Sequence, residues 1–197
     1  MTTLKKIPGI GIPPVPGNTT YIKAGAITIG VEHRLLDFDI ALAVEDAGGV
    51  GDPNRRATLE RLKKEGRIID DRGVSLHIFD NADGKLVEHL RFDCFDRDPH
   101  YHYIFPSEKK NDRHYFKDVT SDSPLTWALE QLKENIPALL TEADAPRLAI
   151  KVDQHEVQAI FPEIIKAVEV AERKLSADRR KEKAKVEETP MVRKASG

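Results

Sequence analysis

Cysteine is nearly absent from this chain of 197 residues; Cys94 stands alone. One thiol can build neither an intramolecular disulfide framework nor a cysteine-rich zinc site, and it suits a reducing compartment. No run of 18 apolar residues occurs, so no segment reads as a membrane span. Lys5-Lys6 is not followed by the apolar core of a secretory signal. Together these absences predict a cytoplasmic protein. A strong excess of one charge is missing as well. The formal net charge is −2, which divides into −6 over residues 1–171 and +4 over residues 172–197. A mildly acidic body with a basic tail is not the basic stripe that nucleic acid demands. No internal repeat is visible.

What is present is enough chain for one domain with extensions and a sizeable core. Residues 1–19 carry Pro8, Pro13, Pro14 and Pro16 among Gly9, Gly11 and Gly17, which predicts an extended arm. Residues 20–152 read as a single α+β domain, 153–183 as a C-terminal helical segment, and 184–197 as a charged, apolar-poor, disordered tail. The arm and the apolar stripe of the long helix are two features through which a homo-oligomer could form, and an oligomeric assembly module is the alternative to an enzyme.

Local patterns give the expected elements. Residues 21–31 read as one strand, and Phe38, Ile40, Leu42 and Val44 alternate with polar or small residues as a second. Asp52 and Pro53 are the expected start of a helix over 54–65, ended by Gly66. The Gly48–Gly51 loop ahead of Arg55 and Arg56 could cradle an anion, although it lacks a phosphate-loop or dinucleotide spacing. Residues 115–119 suggest a short strand after a polar loop at 107–111. Ser123-Pro124 opens a helix with Leu125, Ala128, Leu129, Leu132 and Ile136 on one stripe, and Pro137 kinks or ends it. Residues 148–152 read as an edge strand. Asp153 then caps a helix, interrupted at Pro162, that runs to about Lys183.

Residues 74–105 organise the rest. Asn81-Ala82-Asp83-Gly84 has the chemistry of a three-residue hairpin turn, which would set His77 opposite His89 and Ser75 opposite Arg91. A four-residue turn at Asp96–Pro99 would set Asp93 opposite His102. The resulting antiparallel meander, with the N-terminal strands, is expected to pack on helices as an α+β fold. The period of two places Val74, Leu76, Ile78, Leu90, Phe92, Cys94, Tyr101 and Tyr103 on one face. Ser75, His77, His89, Arg91, Asp93, His100 and His102 share the other.

Three readings of that polar face compete. Asp93, His100 and His102 form a two-histidine, one-carboxylate set of the kind that holds catalytic zinc or non-haem iron(II), with His77, His89 or His114 in reserve as a further ligand. A divalent transition metal there, beside Arg91 as an anion holder, would suit a hydrolase or oxygenase acting on a small anionic substrate. Without a metal, His77 and His89 could share acid–base work while Arg91 binds the anion, as in an RNase-like site. The third reading is a cross-strand hydrogen-bond ladder with no ligand at all. Cys94, on the apolar face, is expected to be a small buried hydrophobe.

Overall fold

The computed structural model describes residues 7–8, 11–46, 53–66, 70–81 and 84–188. Seven strands, β1 (Ile7–Pro8), β2 (Thr19–Ala24), β3 (Ile27–Asp37), β4 (Asp70–Asp80), β5 (Val87–Phe95), β6 (His100–Phe105) and β7 (Lys110–Tyr115), form one antiparallel sheet. Their order is β1-β7-β6-β5-β4-β3-β2. Helices α1 (Phe38–Asp46) and α2 (Arg55–Lys64) interrupt the strands. After them come α3 (Pro124–Glu134), α4 (Ile136–Glu142), α5 (Pro146–Ala149), α6 (Gln154–Ala159) and α7 (Phe161–Glu188). The fold is α+β, with a long C-terminal helix, as the pattern of residues implies. Among the described residues no helix is long and apolar enough to cross a membrane.

The apolar face of the sheet carries the larger core. Ile29, Val31, Leu76, Ile78, Leu90 and Phe92 are essentially inaccessible and pack under Leu132, Ile136, Leu140 and Val157, with Ile164, Val168, Ala171 and Leu175 of α7 completing the cover. The stripe of α7 is therefore used on its own sheet. Ser123 caps α3 through Oγ, which accepts from the Thr126 N–H at 3.1 Å. Trp127 closes the border, its ring 5.4 to 5.9 Å from those of Tyr101, Phe116 and Phe92. Tyr101 and Tyr103 are core residues, and Cys94 is a partly buried free thiol packed against the same apolar cluster. Burial pushes that thiol well up, away from nucleophilic chemistry.

Several expectations are corrected. The single strand over 21–31 is a hairpin, because Gly25 takes a left-handed conformation (φ 54°) and turns the chain between β2 and β3. Residues 38–44 are helical. Asp37 Oδ1 accepts from the Ile40 N–H at 2.7 Å at the start of α1, and Phe38 and Ala41 are buried one turn apart, so the 3.6-residue period wins over the apparent alternation. Residues 148–152 form no strand: Pro146 opens the one-turn α5, which buries Leu148 and Ala149. The polar loop expected at 107–111 is a 3-10 turn at Pro106–Glu108 that leads directly into β7, and 116–118 is a second such turn. The second helix starts at Arg55, two residues after Pro53. Asp52 and the Gly48–Gly51 loop lie outside the described residues. Asp153 caps α6 as expected, but the break falls at Ile160, and Pro162 sits in the first turn of α7. α7 continues to Glu188, five residues beyond the expected end; the tail after it lies outside the described residues.

Both expected registers shift by two residues. His77 faces Arg91 rather than His89, and Ser75 faces Asp93 rather than Arg91. Asp93 faces His100, and Arg91 faces His102. A shift of two keeps every side chain on its face while changing its neighbours. A bulge between Ile78 and Phe79 then alters the parity at one place, pairing Phe79 with Glu88 and leaving His89 as the extra residue.

Candidate metal centre and its cleft

The polar face is ordered in two transverse rows. In one, Glu32, Ser75, Asp93 and His100 lie side by side across β3 to β6; in the next, His77, Arg91, His102 and Arg113 do so across β4 to β7. Ser75, His77, Arg91, Asp93, His100 and His102 are all buried. Chain segments from elsewhere cover them. Residues 11–18 of the arm cross this face, where the Ile12 carbonyl accepts from Arg34 Nη2 at 2.5 Å and the Val15 N–H donates to Glu32 Oε1 at 2.8 Å. Ile12 joins Phe38, Ala41 and Leu59 in a second, smaller apolar cluster with α1 and α2. Gly11 presses so close to Arg91 that a Cβ there would sit 3.0 Å from Nη1, and its φ of 77° also favours glycine.

Asp93, His100 and His102 come together as expected. Each offers one ligand atom, and these atoms lie within 4.8 Å of one another. His100 Nε2 is 3.5 Å and His102 Nε2 is 3.6 Å from the same atom, Asp93 Oδ2. The outer ring nitrogens are occupied. His100 Nδ1 donates to the Asp98 carbonyl at 2.6 Å, and His102 Nδ1 donates to Asn111 Oδ1 at 2.8 Å. Ser75 Oγ donates to the other carboxylate oxygen of Asp93 at 2.6 Å. A proton on each Nδ1 leaves each Nε2 with a lone pair turned toward the carboxylate.

The electrostatics sharpen this picture. Burial lowers both histidines, and it outweighs the Asp93 charge that raises them, taking His102 to about 3. Burial raises Asp93, yet Arg34 and Arg91 overcome it and hold the carboxyl well below its usual range. At neutral pH the cluster is one carboxylate and two neutral imidazoles, with no proton between them. Such a set could hold a divalent ion.

Beside the cluster runs a buried charge network that sequence reasoning only half found. Glu88 Oε1 accepts from Arg91 Nε at 2.8 Å and from His77 Nδ1 at 2.6 Å, while Oε2 accepts from Arg91 Nη2 at 2.5 Å. Glu32 Oε2 accepts from Arg34 Nη1 at 2.8 Å and from His77 Nε2 at 3.2 Å. Burial would strip the proton from His77, but two carboxylates on its two nitrogens raise its pKa and keep an imidazolium. Burial raises Glu88, while Arg91 and His77 outweigh it and hold it at about 2. His77 is thus a clamp between β3 and β5.

Glu32, Arg34 and Glu88 were missed for identifiable reasons. Alternation in β3 continues past Val31 through Glu32 and Arg34, where the expected strand stopped. Glu88 reaches this face through the bulge. The same bulge takes His89 away: it lines a separate cavity of about 260 Å³ with Phe105, Pro106, Ala143 and Asp144, apart from the cleft beside the cluster. His114, the reserve ligand, is also elsewhere. It stacks on Tyr101 with ring centroids 5.0 Å apart, on the apolar face, and bonds Asp112.

The cluster opens into a cleft of about 370 Å³ lined by Asp93, His100 and His102 together with Arg34, Arg91 and Arg113. Arg55 of α2 and Arg97 of the β5–β6 turn stand at its edge. Arg113 pairs with Asp98, and its Nη2 lies 3.0 Å from His100 Nδ1.

Fold and site together define an α+β protein whose antiparallel sheet holds a buried two-histidine, one-carboxylate cluster at the floor of an arginine-rich cleft. Residues 21–168 match the family described as a domain of unknown function, DUF7700, and the chain belongs to it. That span runs from β2 into α7 and includes every residue of the cluster and of the buried network. No curated protein and no solved structure matches the chain.

Proposed function

We propose that the protein binds a divalent transition metal through Asp93, His100 and His102, and that the bound ion works on a small anionic substrate as a hydrolase or oxygenase. The observation that carries this reading is the convergence of two Nε2 atoms on one carboxylate oxygen, each ring having an acceptor at Nδ1 that draws the proton to that side. Three lone-pair atoms turned toward one another without a proton repel unless a cation lies between them. The two separations from Asp93 Oδ2, 3.5 and 3.6 Å, fit. Two ligand atoms bound at about 2.1 Å with a tetrahedral angle stand about 3.4 Å apart. Three protein ligands leave positions for water and substrate, and the cleft gives access to them. Zinc and iron(II) both accept this set.

Arg91 fits the role of electrostatic neighbour. Its Nε and Nη2 are committed to Glu88, so it presents a fixed positive charge at the cleft wall beside Asp93. The metal-free acid–base reading is less well supported, because His77 is clamped by two carboxylates and His89 lies apart from the cleft. The test is elemental analysis of untagged protein after loading with zinc, or with iron(II) under anaerobic conditions. One ion per chain in the wild type, lost in a His100→Ala, His102→Ala double variant, is the expected result. Metal retained by the double variant places the ligands elsewhere.

A further inference from the structure

Among the described residues the paired charges around the cleft match one another before any ion is added. In the buried network three cations, Arg34, His77 and Arg91, face three carboxylates, Glu32, Glu88 and Asp93. The rim repeats the pattern. Arg55 pairs with Glu45 at 3.1 Å, Arg97 with Asp70 at 3.2 Å, and Arg113 with Asp98. Arg72 also pairs with Asp70, and Asp71 accepts from the backbone N–H groups of Arg97 and Asp98, so among the described residues these paired groups carry four charges of each sign. A divalent ion set into this balanced surround adds two positive charges where little water can screen them, and that excess selects a partner of charge −2.

The shape of the partner follows from the second transverse row. Arg91 and Arg113 flank His102 on either side, one strand away in each direction. With strands about 4.8 Å apart, the two arginine backbones stand about 10 Å apart, with the cluster between them. Both arginines are among the residues that line the cleft. Among the described residues Nε of Arg113 is buried without a hydrogen-bond partner, and the Tyr115 ring, 5.1 Å from the guanidinium carbon, braces the group. A planar carboxylate has two oxygens, enough for the ion and one arginine. A tetrahedral oxyanion has oxygens for the ion and for both sides.

Resting on the metal reading above, we propose that the ligand taken by this site is a phosphate-monoester dianion, held by the metal and by Arg91 and Arg113 on either side of His102. Monoesters carry nearly two charges at neutral pH, whereas diesters carry one, so the site discriminates against a phosphodiester backbone.

The experiment uses full-length protein loaded with cobalt(II), whose visible absorption reports changes in coordination. Inorganic phosphate at pH 8 and dimethyl phosphate, a monoanionic diester, are titrated separately, with calorimetry in parallel on metal-free protein. Phosphate is expected to shift the cobalt bands and to bind at least tenfold tighter than dimethyl phosphate, and at least tenfold tighter than to metal-free protein. Arg113→Gln should take up cobalt and lose tenfold or more in phosphate affinity, with Arg113→Lys recovering part of it. Cobalt uptake with phosphate no tighter than dimethyl phosphate overturns this proposal and leaves the metal reading standing. Phosphate affinity unchanged in Arg113→Gln removes Arg113 from the site. Absence of cobalt uptake by the wild type overturns the metal reading and this proposal together.

Discussion

The two faces of one sheet solve burial in opposite ways. On the helix side, Ile29, Val31, Leu76, Ile78, Leu90 and Phe92 meet α3, α4, α6 and α7 through many interchangeable apolar contacts. On the other side, equally buried positions hold Glu32, His77, Arg91 and Asp93, and each charge is met by a specific partner at hydrogen-bond distance. The first arrangement is tolerant and local in its failures, because an altered side chain leaves a void beside otherwise intact neighbours. The second is all-or-none in its parts, because losing one charge strands another in low dielectric. A face that pairs buried charges so completely, yet leaves two imidazoles and a carboxylate turned inward on one another, is organised for something besides stability.

The charged face is most vulnerable at Glu88. Glu88→Ala removes the anion shared by His77 and Arg91 and leaves two buried cations without it; a loss of about 3–5 kcal/mol in urea unfolding is expected. On the other face, Leu76→Ala should cost about 2–5 kcal/mol by leaving a cavity, and the value should fall toward the lower end if the helices settle onto it. A loss at Glu88 no larger than that of an exposed ion pair, under about 1 kcal/mol, would contradict the contrast between the faces.

The pH dependence of stability sharpens it further. Glu88 titrates near 4.5 when unfolded and at about 2 when folded, so its contribution is complete above about pH 4.5 and disappears as pH falls toward 2. That shift corresponds to about 3 kcal/mol. His77 works in the opposite sense. Its folded pKa is raised, so its contribution is complete below about 6.5 and is lost as pH climbs through the folded value. Unfolding measured from pH 3 to pH 9 should show the greatest contribution of this pair between about 4.5 and 6.5, with both limbs flattened in Glu88→Ala. A wild type and variant with parallel profiles would remove the pair from the account. A smaller effect is expected behind the cluster: Asn111→Ala frees His102 Nδ1 and should weaken metal binding about 10–100-fold.

The helix side was legible in the sequence because alternation needs only parity, and parity survived a register error of two residues at both hairpins. The same insensitivity brought Asp93, His100 and His102 to one face even though their assigned neighbours were wrong. Parity failed where geometry departs from the ideal. One bulge exchanged His89 for Glu88, and no local pattern in residues 74–105 announces it. Alternation also misled at Phe38–Val44, where an aspartate starts a helix whose apolar spacing is compatible with either period. The arginines of the cleft come from β3, α2, β5, the β5–β6 turn and β7, and no window along the chain contains such a set. Long-range assembly of this kind is carried by topology rather than by neighbours in sequence.

Whether Asp93, His100 and His102 ligate an ion is read by X-ray absorption at the zinc edge on stoichiometrically loaded, full-length protein. Two imidazole nitrogens and one carboxylate oxygen from the protein at about 2.0–2.2 Å, with the imidazole signal halved in His102→Ala, is the predicted result. A sulfur shell near 2.3 Å from Cys94, or a coordination sphere without imidazole, would contradict it.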